Sequence, residues 1–442
     1  RRGPRPRPEP RAPSRSAPAR RARKSNPEAE PMPSSMPKVI GVGTDCSGME
    51  APVQAMENLK VSFEHRFSCD KDPHARATIK ANFPHGEMFD DVMARDNKAA
   101  PSCDVYVAGF PCQPFSAAGK QQGFEDMLGR GQVFFYVRDY IAEHRPRVFV
   151  LENVERLKTI EQGKCLEVIM NSLKELGGYN ISWRVLNTKD HGVPQNRGRI
   201  YFVGIRDDVD RGTFEFPEPI PCPDMELFLD KRPRTSVVAA GLPPKTQGTA
   251  HANVKNTLRR LKREGSDPLK EPHLIDCDSS DYRSKSMLNL SPCLTRSRHH
   301  GHWVTNRGRR TNKQEMFRLH GMDPTRFTVA VTEAQLGMQL GNTMSVNVLE
   351  RVLVRLLPAA GLVPEGSLRD RWANGSALRR LARTRDCGFA DAAARKRLLR
   401  QRLGGAARAA KAKVKAAATA TARAAKSGKR KRSAPAAGGA AK

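Results

Sequence analysis

Acids are scarce in this 442-residue chain: 46 Asp and Glu stand against 77 Lys and Arg, a formal net charge of +31. Cysteine is sparse as well. The nine cysteines are an odd number, form no Cys-x-x-Cys pair and do not cluster with histidines. That argues against a disulfide framework or a zinc site, and for a reducing compartment. No apolar run approaches the roughly 18 residues that a bilayer-spanning helix needs, so no membrane segment is expected. The first residue is Arg rather than Met, and upstream domains are expected to be missing. The acid-poor, Arg/Pro/Ser-rich start also has the composition of a transit peptide.

The positive charge is unevenly placed. Residues 1–37 hold ten Lys/Arg and three acids, and residues 366–442 hold twenty-two and three, which leaves the middle a net +5. An ordinary globular composition therefore lies between two cationic arms. Such arms attract polyanions through counterion release, and nucleic acid is the expected partner. A solvated tail with no partner is the plainer reading. Residues 1–37, rich in Pro, Arg and Ser, are expected to be a disordered arm.

From residue 38 short apolar strands alternate with helical patterns. Strands are expected at Val39–Val42, Val61–Ser68, Val105–Ala108, Val148–Leu151 and Ile200–Val203. Helices are expected at Met49–Leu59, Pro73–Asn82, Gln132–Glu143 and Cys165–Leu176. This order predicts an α/β fold, a doubly wound, mostly parallel sheet with helices on both faces. The pattern covers 38–206 and breaks near Asp207. Residues 207–289 read as a second, smaller lobe. Order returns over 290–365, where Val346–Leu357 has the pattern of an amphipathic helix. Residues 366–442 read as a basic tail, with a basic helix possible over 368–403 and no acid at all in 404–442.

In open α/β sheets ligands sit outside the carboxyl ends of the strands. Three expected strands end in unusual residues there: Thr44-Asp45-Cys46-Ser47-Gly48, Gly109-Phe110-Pro111-Cys112-Gln113 and Glu152-Asn153-Val154. Consecutive parallel strands would bring a thiol, a carboxyl group and a glycine turn to one edge. Each residue has a bland alternative, Cys112 as a small buried hydrophobe and Glu152 as a helix cap or ion-pair partner. Further on, Gln195, Arg197 and Arg199 would share one face of a strand. Two neighbouring guanidiniums repel unless an anion or carbonyl meets them. The bland reading there is an exposed polar face.

Taken together these residues resemble the cytosine-5 DNA methyltransferases, across roughly residues 38–357. The stretch GFPCQPFSAAGKQQGFED is similar to their Pro-Cys motif with the loop behind it, and LENV at 151–154 to their Glu-Asn-Val motif. QNRGRIYFVG at 195–204 resembles their Gln-x-Arg-x-Arg motif, and KQEMFRLHGM and QLGNTMSVNVL their two late motifs. The resemblance implies S-adenosylmethionine as methyl donor, duplex DNA as substrate and no metal. It also implies covalent catalysis by Cys112, with Pro111 before it and Gln195 and Arg197 nearby. Glu152 would act on ring N3, and Arg199 on the carbonyl oxygen, of a flipped-out cytosine. The donor site it implies uses Cys46, Gly48, Asp70, Asp91, Val92, Gly109, Asn342 and Thr343.

Two residues depart from the family pattern. Cys46 stands where an adenine-stacking Phe is expected, and Glu50 where a glycine is expected. Altered donor affinity is the expected consequence, with the fold retained. Target specificity is expected mainly from 207–289, with Arg296, Arg298, His299, His300 and Gln121 as candidate DNA contacts. A transfer-RNA enzyme on the same scaffold would carry a Cys-Phe-Thr triplet, which this chain lacks. A chromatin-binding relative with weak catalysis is a further alternative. Lys429-Arg430-Lys431-Arg432 reads as a nuclear import patch, or as plain DNA-binding tail.

Overall fold

A computed structural model describes residues 39–111, 132–232, 241–280 and 285–391. Cys112, Gln121, both basic ends and the import patch lie outside these residues.

Seven described strands form the main sheet: β1 (Ile40–Asp45), β2 (Phe63–Cys69), β3 (Glu87–Phe89), β4 (Val105–Ala108), β5 (Val148–Val154), β6 (Tyr179–Asn187) and β7 (Gly198–Arg206). Their order is β3-β2-β1-β4-β5-β7-β6. The first five run parallel, whereas β7 runs antiparallel to both β5 and β6. The sheet is therefore mostly parallel, as expected, and closes on an antiparallel hairpin. The two hairpin strands are joined by residues 188–197, too short a connection for a parallel crossover.

The central strands are apolar along their length because helices cover both faces. Val105 and Val107 of β4 point toward α1 (Ala51–Leu59) and the long helix Val346–Ala359. Tyr106 and Ala108, the alternate residues, point toward α3 (Val133–His144) and α4 (Lys164–Lys174). The helix α2 (Pro73–Asn82) follows β2. It is capped by Asp72, whose carboxylate accepts the His74 N–H at 2.9 Å, with Pro73 in the first turn where no N–H is needed.

The expected elements fall within three residues of the observed ones. The smaller lobe differs more from expectation. Its four-stranded antiparallel sheet comprises β8 (His273–Ile275), β9 (Ser286–Leu288), β10 (Trp303–Val304) and β11 (Arg309–Arg310), so it runs beyond residue 289. The helix α5 (Gly248–Arg263) covers it through Ala250 and Val254. Phe216, Met225, Phe228 and Leu229, placed by sequence in that lobe, belong instead to the main core.

Three helices return the chain to the main sheet: α6 (Lys313–Arg318), α7 (Glu333–Asn342) and α8 (Val346–Ala359). The basic tail expected from 366 starts later. Trp372, Ala377 and Leu381 are buried in the main core, the last two on the short helix α9 (Ser376–Ala382). No continuous helix joins α8 to α9, and Gly361 between them adopts a left-handed conformation.

Candidate active site

The carboxyl ends of β1, β2, β4 and β5 open on one edge. Beyond β1, the turn Cys46–Glu50 reverses the chain into α1. Cys46 and Glu50 both take left-handed φ near +50° there, as does Gly48. For Glu50 this costs about 1 kcal/mol or more. Its carboxylate offsets the cost: Oε1 accepts from Thr44 Oγ1 at 2.8 Å and from Ser68 Oγ at 2.6 Å, with His65 Nε2 at 3.5 Å. The departure from glycine at this position is thus a buried polar network that ties β1 to β2. Burial lowers the His65 pKa, but the Glu50 carboxylate outweighs it and leaves it raised.

Two clefts adjoin this turn and share Cys46. One, of about 310 Å³, is lined by Ser47, Gly48, Asn342 and Thr343. The other, of about 450 Å³, is lined by Asp70, Asp91, Val92 and Pro111. Asp70, at the end of β2, accepts the Gly48 N–H at 2.8 Å and the Asp72 N–H at 2.9 Å. Burial raises its pKa against these bonds. Asp91 accepts the Met93 N–H and pairs with Lys71 at 2.9 Å. Burial raises its pKa, but the lysine and the N–H hold it below the usual value. Its turn is fastened by Arg95, whose guanidinium meets both Asp45 carboxylate oxygens at 2.7 and 2.8 Å. This fully buried pair carried no sequence signal. The Cys46 thiol is pushed well up by burial and by Asp70, so it is no nucleophile.

On the other side of β4, Glu152 is buried near the end of β5. Gly109 stands between it and Met344, and any side chain there would collide with the methionine. The antiparallel course of β7 brings its first residues to the same edge, Arg199 opposite Val154. Arg199 Nε lies 3.1 Å from Glu152 Oε1. Burial raises the Glu152 pKa, while Arg199 and Arg197 pull it down less strongly.

The shared strand face expected for Gln195, Arg197 and Arg199 is not formed. β7 begins at Gly198, and the Arg197 N–H bonds to the Gln195 carbonyl at 3.0 Å in a tight turn. Gln195 is fully buried, donating to the Leu319 carbonyl at 2.6 Å and accepting the Leu294 N–H at 3.0 Å. Arg197, 2% exposed, donates to the carbonyls of Leu294, Gly341 and Thr343 at 2.9, 3.3 and 2.7 Å. These two side chains lock the β7 edge to the late segments that line the first cleft.

The four candidate DNA contacts that can be placed lie together, in and just after the turn Arg296–Arg298. Arg296 is exposed. Arg298 is tied to Asp276 and to Ser279 Oγ, the latter at 2.6 Å. The His299 and His300 rings lie 3.9 Å apart. On α5, Lys255, Arg259, Lys262 and Arg263 form an exposed basic face that sequence reading passed over. Among the described residues no group of His, Cys, Asp or Glu could hold a metal ion, and no helix is long and apolar enough to cross a membrane.

The family model of C-5 cytosine-specific DNA methylases matches residues 45–357. The chain belongs to that family. It is therefore an S-adenosylmethionine-dependent enzyme that methylates carbon 5 of cytosine in DNA. Type II methyltransferase M.NgoBI of Neisseria gonorrhoeae is 34% identical over 311 residues, covering 66% of this chain and 87% of that protein. Type II methyltransferase M.HhaI of Haemophilus parahaemolyticus is 29% identical over 65% of this chain and 85% of its own. The solved structure of Entamoeba histolytica methyltransferase EhMeth matches with a TM-score of 0.51 at 18% identity, covering 72% of this chain and 98% of that one, a likeness of fold.

The two clefts suit the methylase's donor. An acid at the end of β2 and a second at the next turn can take hydroxyl and amino donors, and Gly48 lets backbone approach closely. Asp70→Ala is expected to weaken donor binding more than DNA binding. Loss of a charged hydrogen bond is worth about 1.5–3 kcal/mol, roughly tenfold or more in affinity. Calorimetric titration with S-adenosylmethionine measures it. An unchanged dissociation constant would leave Asp70 only its role of pinning the Gly48 turn.

Proposed function

We propose that the methylase works through Cys112, with Glu152 and Arg199 on the target base and Asp70, Asp91, Val92, Gly48, Asn342 and Thr343 around the donor. The Cys112 thiolate attacks carbon 6 of a cytosine swung out of the duplex. Glu152 holds a proton against ring N3 as charge moves into the ring, and Arg199 meets the carbonyl oxygen. Bound S-adenosylmethionine supplies the electrophilic methyl group. Carbon 5 takes that methyl group, loses its proton, and the thiolate leaves as the double bond re-forms.

The observation that carries this reading is the Glu152–Arg199 contact. A buried carboxyl group that keeps its proton above the ordinary range lies beside a guanidinium, at the sheet edge where Pro111 leads into Cys112. Gln195 and Arg197 support the site from beneath. Glu152→Gln keeps the shape and removes the transferable proton. Turnover is expected to fall by about a hundredfold or more, while binding of a short cytosine-containing duplex persists. Turnover within a few-fold of the unaltered enzyme would remove Glu152 from the reaction.

The smaller lobe is proposed to read the target sequence, with Arg296 as its most exposed candidate. The basic ends are proposed to hold duplex phosphates, in a nuclear, chromatin-bound setting. Their charge and the Lys429–Arg432 patch support that last point. The relatives named above are bacterial, so it rests on those residues alone.

A further inference from the structure

Arg197 and Arg199 are two buried or half-buried cations on one strand, and their partners do not balance them alike. The groups that meet Arg197 through hydrogen bonds are carbonyl dipoles, apart from one sulfur. Cys293 Sγ lies 3.5 Å from Arg197 Nη1 and 3.8 Å from Arg199 Nη2, bridging the pair. The segment that carries Cys293 is held from both sides. The Asn196 N–H bonds to the Ser291 carbonyl at 2.8 Å, and Gln195 Oε1 accepts the Leu294 N–H at 3.0 Å. The sulfur is therefore fixed where the two guanidiniums converge.

We propose that Cys293 is a positioning residue whose sulfur supplies the negative charge between Arg197 and Arg199, leaving Glu152 free to carry its proton. This rests on the reading of Glu152 as the acid. Three groups near Arg197 can become anions: Cys293, Glu152 and Tyr201. Burial pushes the Tyr201 phenol far up, so it stays neutral. Burial also raises Glu152. Cys293 goes the other way: burial raises its thiol, but Arg199 and Arg197 together bring it below the usual value. The histidines packed nearby, His302 and His320, are held neutral by burial and add no charge. With Glu152 protonated, the sulfur is the anion left to offset two guanidiniums. Without it, the pair would draw the proton off Glu152.

The sign of the pH effect follows. Turnover needs protonated Glu152, so it falls as pH rises through that group's raised pKa. Removing the Cys293 charge strengthens the pull of both arginines, and this alkaline limb moves to lower pH. Cys293→Ser is expected to shift it down on the order of one pH unit, and Cys293→Asp to bring it back. A role in packing alone would lower activity at every pH without moving the limb. The charge on the sulfur is read separately, without turnover. Thiolate ultraviolet absorbance is titrated in Cys112→Ser protein, with the Cys112→Ser/Cys293→Ser protein subtracted. A midpoint below the ordinary thiol value of about 8.5, with the shift and its rescue, supports the proposal. A midpoint at or above that value overturns it, as does a low midpoint with the limb unmoved in Cys293→Ser. If Glu152→Gln keeps the limb, the reading of Glu152 fails, and the absorbance midpoint alone decides whether the sulfur is the counter-anion.

Discussion

Cys112→Ser is expected to lower methyl transfer by at least about a thousandfold while leaving the enzyme able to bind DNA. A serine hydroxyl is ionised to a negligible extent near neutral pH, whereas a thiol is partly ionised and intrinsically far more nucleophilic. Everything around the proposed attack would survive the change. Pro111 lines the donor-side cleft, and Glu152 and Arg199 are placed by β5 and β7, strands whose packing does not depend on residue 112. Tritium transfer from labelled donor measures turnover, and a filter-binding assay measures retention of DNA. Activity within tenfold of the unaltered enzyme would remove Cys112 from the reaction. A second measurement traps the intermediate. On DNA carrying 5-fluorocytosine, the fluorine cannot leave as a cation after methyl transfer. The unaltered enzyme should then run as a donor-dependent shifted band on a denaturing gel, and Cys112→Ala should not. A band of equal strength from Cys112→Ala would mean that another residue is the nucleophile.

The part of this site that could be read from sequence is the part built from single strand ends. Val105–Ala108 followed by Gly-Phe-Pro-Cys, and Val148–Leu151 followed by Glu152, announce themselves because an apolar run stops at a polar residue. Parallel neighbours then place those stops on one edge. What escaped depends on distant partners. Arg197 looks like a ligand-facing cation locally, yet its carbonyl partners come from residues 294, 341 and 343. Cys293 has no local signal, since its chemistry is created by two arginines about a hundred positions earlier in the chain. β6 was missed because it is an edge strand with a mixed polar pattern, from Tyr179 to Asn187. Without β6 the reversal into β7 was invisible, and with it the reason that Arg199 reaches Glu152. Glu50 was visible as a departure from the family pattern. Its hydroxyl partners, Thr44 and Ser68, belong to two different strands.

The basic carboxyl-terminal region divides at about residue 391, and truncations on either side of that point are expected to behave in opposite ways. Composition shows one cationic stretch from 366 onward, but two kinds of segment share that composition. Between 366 and 391 the cations have partners. Arg371 pairs with the buried Glu350 at 3.0 Å, Asp370 receives Arg351 at 2.8 Å, and the Thr384 carbonyl accepts from the fully buried Arg318 at 3.1 Å. Trp372 and Leu381 fill the main core, and the Phe389 ring lies 5.1 Å from that of Phe317. Removing 366–442 therefore opens a core the size of several large side chains. A single one of these typically costs about 3–5 kcal/mol. It also strips Arg371 from Glu350, which burial holds up at about 7 even with that arginine present. Orphaning one partner of a buried pair costs about 3–5 kcal/mol more. The sum rivals the whole stability of a domain, about 5–15 kcal/mol, so this truncation should yield little folded protein. Removing only 392–442 deletes sixteen Lys/Arg and no acid, and no residue of the described core. The melting temperature and the turnover at saturating DNA should then stay unchanged. Affinity for every duplex should drop alike, and the plot of log affinity against log salt should flatten by about 0.9 for each phosphate that the tail no longer neutralises. A shorter truncation that melts far lower with its salt slope intact would show the last fifty residues to be structural. A longer truncation that melts like the full chain would mean that Trp372 and the Arg371–Glu350 pair contribute nothing to the fold.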